Sequence, residues 1–77
     1  MIHRHEDPKS VDLLAALCRE LFALAKHEDD VAAEEASQLP YWVPCPPSVV
    51  GHRAAARTLR AEAQRLEAAM RPLATAS

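Results

Sequence analysis

The sequence predicts an all-α fold, an antiparallel hairpin of two long helices assembling into a four-helix bundle, and three observations carry that prediction. Four of the six prolines stand between positions 40 and 47, where they exclude both a continuing helix and a central strand, so the chain turns there. On either side of that turn the apolar residues recur with helical periodicity. The composition is 49% apolar, but it holds sixteen alanines and only three aromatic residues in 77, which suits thin, closely packed helices better than a β-sandwich or an enzyme-sized pocket.

The opening residues 1–7 are polar and are expected to form a flexible N-terminus. His3, third behind the amine, has the nitrogen set of a tetragonal Cu(II) site, but ordinary mobile histidines are the simpler reading of His3 and His5. Asp7 followed by Pro8 is a good helix opening, because a carboxylate accepts from the free amides of the first turn and proline at the first helical position loses no bond. The first helix is predicted over 8–37. Within it Leu13, Leu14, Leu17, Cys18, Leu21, Phe22, Leu24 and Ala25 cover about half the circumference, more than the ~100° stripe of a surface helix. One neighbouring helix does not cover such an arc. Leu14, Leu17, Leu21, Phe22 and Leu24 are therefore the expected oligomer interface, and a second copy of the chain is the expected partner. Past Lys26 the pattern thins, with Glu28 and Glu35 near the middle of the stripe. Two readings stand there: the helix runs on through Ala32, Ala33 and Ala36, or it breaks near His27 and restarts with Asp29 or Asp30 as an N-cap.

The loop is predicted over 38–47. Tyr41, Trp42 and Val43 are its candidate partner-binding residues, since tyrosine and tryptophan are enriched at interaction hot spots and a proline-stiffened backbone loses little entropy on binding. The alternative is that the rings fold back and cap the helix pair. Behind the loop, Ser48 is the expected N-cap of a second helix over 48–71. Val49, Ala56, Ala63 and Met70 share one heptad position, and His52, Leu59, Leu66 and Leu73 share another, which together make the a/d seam of a paired helix. Pro72 is the expected stop, so one domain spans 8–72 and a flexible tail spans 73–77.

Charge divides along the same line. Residues 1–47 carry a balance of −5 and residues 48–77 one of +3, which sum to the net −2. In an antiparallel hairpin the acidic end of the first helix lies beside Arg53, Arg57 and Arg60 at the start of the second. The same arginines, with Gln64 and Arg71, form a flank that is a possible nucleic-acid contact.

Two helices joined by a turn bearing Trp42, in a short chain, resemble the WXG family of type VII secretion substrates. That resemblance implies a helical hairpin that dimerises and is exported. It is a resemblance of architecture: Trp42-Val43-Pro44 carries proline where the family has glycine, and the tail lacks the family's aromatic-acidic export signal.

No serine, cysteine or carboxylate has a base partner at a characteristic spacing, so no catalytic residue is nominated and no enzyme activity is expected. Cys18, Cys45, His27 and His52 sit at no ligand spacing, and neither a metal nor a cofactor is expected. No apolar run reaches the ~18–20 residues of a membrane span, and the opening residues contain no apolar h-region, so a cytoplasmic protein is expected. In sum, the residues point to a small non-catalytic adaptor, regulator or assembly subunit. It associates with itself and with another protein, and no small-molecule substrate is evident.

Overall fold

The structure, a computed structural model, describes residues 8–75, with the side chains of residues 10–71. Helix α1 spans Pro8–Ser37 and helix α2 spans Pro47–Thr75. They lie antiparallel as one slender hairpin of 61 × 17 × 16 Å. The expected flexible N-terminus and the copper arrangement at His3 fall outside the described residues, as do positions 76–77 of the tail.

Helix α1 is unbroken through the uncertain joint. The two aspartates there serve as ion-pair partners and not as caps: Asp30 accepts from Lys26 one turn earlier at 2.8 Å, and Asp29 accepts from Arg60 of α2 at 2.7 Å. The helix closes by tightening. The Gln38 amide donates to the Glu35 carbonyl at 3.2 Å and that of Leu39 to Ala36 at 3.1 Å, the three-residue spacing that satisfies the last carbonyls without a left-handed residue. The Ser37 hydroxyl adds a bond to the Glu34 carbonyl at 2.8 Å. In the loop the Val43 amide donates to the Pro40 carbonyl at 3.0 Å, a β-turn with Tyr41 and Trp42 at its centre.

The start of α2 differs from the expectation. The Val50 amide donates to the Pro46 carbonyl at 3.2 Å, which makes Pro46 the N-cap and Pro47 the first helical residue. Proline is preorganised for that position and has no amide to leave unpaired. Ser48 stands inside the helix, and its hydroxyl donates across the hairpin to the Glu35 carboxylate instead of capping. The far end differs too, since α2 continues past Pro72 to Thr75. Proline there deletes one bond, to the Ala68 carbonyl, and only in the final turn, where the helix has little left to lose.

Among the described side chains the wholly buried apolar residues are Cys18, Ala25 and Ala32 on α1 with Val49, Ala56 and Ala63 on α2. Each trio steps by seven, and the expected a position of α2 is therefore the centre of the seam. Cys18 Sγ lies 3.5 Å from the Ala63 carbonyl oxygen, a weak thiol hydrogen bond. Counting by sevens in opposite directions from that contact sets Ala25 level with Ala56, and Ala32 level with Val49. Side chains this small let the two backbones approach closely, toward the lower end of the usual ~8–10 Å between helix axes.

Candidate interaction surface

Cross-helix polar contacts lie on both sides of the alanine seam and define two faces of the hairpin. On one side His52 Nδ1 stands 2.6 Å from Glu28 Oε1, with the Ser48–Glu35 bond further toward the tip, two turns on along α1 and one back along α2. On the other side Arg60 donates to Asp29 Oδ2 at 2.7 Å. Glu28 and Asp29 are neighbours in sequence, but ~100° of helical rotation sets them astride the seam.

Steps of four and seven residues from these anchors assign the remaining side chains. Leu21 and Leu14 stand one and two heptads before Glu28, Leu24 stands one turn before it, Leu17 a heptad before Leu24, and Leu13 a further turn back. On α2, Leu59 and Leu66 stand one and two heptads beyond His52. These seven leucines share a face. Leu13 is 71% exposed, Leu17 46% and Leu24 48%, while Leu14, Leu21, Leu59 and Leu66 are half-buried along its inner edge.

The expected interface set is thus divided. Leu14, Leu17, Leu21 and Leu24 lie together, but Phe22, one heptad before Asp29, is half-buried on the opposite face. Leu59 and Leu66, assigned to the seam by their heptad position, are half-buried beside it and line the inner edge of the leucine face. The signal that distinguishes the faces is present in sequence only as Glu28 and His52, two polar residues at apolar heptad positions. They become informative once they are seen to pair.

The arginine flank occupies the second face. Arg60 is held by Asp29, while Arg53 and Arg57 are exposed and make no ion pair with the described residues. On the outer surface of α1 the Asp30 carboxylate raises the Lys26 ammonium above its usual 10.5, first by hydrogen bonding and then by charge. The benefit to folding is present at neutral pH and is lost as pH rises through that elevated value.

At the tip Tyr41 is 95% exposed and Trp42 71%, with Val43 also exposed. Their rings contact each other edge to face, centroids 5.1 Å apart at 84°, and do not cap the helices. Beside the tip an open groove of about 450 Å³ runs along α1, lined by His27, Asp30, Val31, Glu34, Glu35 and Gln38. No three metal-ligating side chains are grouped among the described residues. Cys18 is a buried free thiol and Cys45 an exposed one. Among the described residues no helix is long and apolar enough to cross a membrane. Compared with protein-family models, with curated proteins and with solved structures, the chain finds no match in any of the three.

Proposed function

We propose that this protein is a non-catalytic helical adaptor or assembly subunit that works by protein contact and associates with itself through its leucine face. One observation carries the reading: among the described side chains, no leucine and no phenylalanine is wholly buried, and the largest wholly buried side chain is Val49. Each large apolar side chain contributes on the order of 1.5–3 kcal/mol when fully buried, and a hairpin of this size has a total stability of only a few kcal/mol. A second copy laid on the leucine face supplies the missing burial. The exposed Tyr41–Trp42 pair then remains free at the tip as an anchor for another protein. The setting of this reading is the cytoplasm, where Cys45 stays a thiol.

Light scattering tests the self-association. The wild-type chain is expected at twice its own mass or more at micromolar concentration, and the double variant Leu17→Asp with Leu24→Asp is expected as monomer, its dissociation constant raised about a hundredfold or more. A wild-type protein that stays monomeric and fully helical on dilution refutes the proposal.

Arg53 and Arg57, exposed and paired with no described residue, favour a second reading, contact with nucleic acid. A salt-dependent mobility shift with DNA or RNA that is lost in an Arg53→Ala, Arg57→Ala variant supports that reading against the first.

A further inference from the structure

Resting on that self-association, the geometry points to its arrangement: we infer that two copies pair antiparallel through the base halves of their hairpins only, so that the two Trp42 tips project from opposite ends of the dimer. The leucine face changes character halfway along the molecule. On α1 one heptad position reads Leu14, Leu21, Glu28, Glu35, and its neighbour reads Leu17, Leu24, Val31, Gln38. On α2 the corresponding position reads His52, Leu59, Leu66 from tip to base. The half near the chain ends is therefore largely apolar, and the carboxylate that lies on it, Glu62 of α2, is paired with Arg65 of the same helix. The half near the tip is polar and already satisfied within the chain, through Glu28 with His52 and Glu35 with Ser48.

A twofold pairing of stacked hairpins has two forms. With the dyad along the hairpin, tip lies on tip over the full length, and Glu28 and Glu35 of both copies are driven into the interface, where desolvating carboxylates is unfavourable. With the dyad across the hairpin, each copy covers the other's leucines and the polar tips overhang into water. The register of the seam supports the second form. The midpoint between Leu13 and Leu24 falls at Cys18–Arg19, the midpoint between Leu59 and Leu66 falls at Glu62–Ala63, and Cys18 is the residue in contact with Ala63. One crossing axis therefore bisects the leucines of both helices at once, which is the condition for a patch that matches its own copy. Under that axis α1 runs antiparallel to the partner's α1, and Leu13 of one copy faces the level of Leu24 in the other. Charge favours the same form: residues 27–60 carry a balance of −2 and residues 1–26 with 61–77 one of 0, so two tip halves laid on each other repel, and the antiparallel form separates them.

The exposed Cys45 at the tip allows a direct test on the wild-type chain, because Cys18 is buried. From the dyad to Ser37 is roughly 28 Å of helix, which sets the two Cys45 residues roughly 55 Å or more apart. A nitroxide is attached at Cys45, its sole attachment there confirmed by peptide mapping, and the mass and the inter-label distance by pulsed electron resonance are measured on the same sample. A dimer with no component below about 30 Å supports the inference, and so does the failure of mild oxidation to link two chains through Cys45. A dimer with labels within about 30 Å overturns the antiparallel register and leaves self-association standing. A monomer overturns self-association and the register with it.

Discussion

Ala25, Ala56 and Ala63 show how much a single methyl group decides in this protein. Each is wholly buried at a heptad position where a longer coiled coil carries leucine or isoleucine, and each sets the distance between the helices. Ala56→Leu adds three carbons where no space exists. Overpacking of that kind costs about 1–3 kcal/mol, which in a chain of this length lowers the melting temperature by roughly 5–20 °C in a thermal scan followed by circular dichroism. An unchanged or raised melting temperature shows that the helices are not held at alanine spacing. Cys18 belongs to the same row, and its buried thiol makes a weak bond to the Ala63 carbonyl.

At the scale of elements, the two helix ends at the tip are closed by what lies next to them. Helix α1 ends in tightened turns that lead into the Pro40–Val43 turn, and α2 begins on Pro46 and Pro47 with no side-chain cap at all. The loop between them therefore holds its shape by proline geometry, and its aromatic rings add little to the stability of the helix pair. Changing Tyr41 and Trp42 together to Ala is expected to leave helix content unchanged and to move the melting temperature by no more than a few degrees, because side chains this exposed lose little burial. The same double variant is expected to weaken binding of the second protein at the tip, measured by calorimetry once that protein is in hand. A large fall in melting temperature overturns the view of the rings as an exposed anchor.

The whole molecule is a rod with distinct ends. Cys18 lies in the base half, ~28 Å of helix short of Ser37, and Cys45 lies in the tip beyond. A disulfide requires Cα atoms within about 7 Å, so mild oxidation of the folded chain is expected to yield no bond between these two thiols. Alkylation is expected to be fast at Cys45 and slow at Cys18, the latter limited by opening of the hairpin. Peptide mapping of the oxidised protein checks the first point and time-resolved mass measurement the second; a Cys18–Cys45 bond in the native fold contradicts the extended hairpin.

The proline cluster from Pro40 to Pro47, the apolar arc from Leu13 to Ala25 and the seven-residue repeat from Val49 to Met70 determined, by themselves, two helices and the turn between them. All three are local: proline acts on its own backbone and each pattern acts along one helix, so each is legible in order along the chain. The start of α2 departs from its local pattern, because Ser48 is a good cap in isolation and becomes a second-position donor only when Glu35 of the other helix is within reach. Which side of each helix faces the same way was decided only by tertiary structure. Leu21 and Phe22 are equally apolar neighbours in sequence, and they part to opposite faces because Glu28 pairs with His52 while Asp29 pairs with Arg60. Pairings of that kind join residues 24 and 31 positions apart. Periodicity within one helix carries no information about its rotation relative to the other, and that rotation makes seven scattered leucines into one surface.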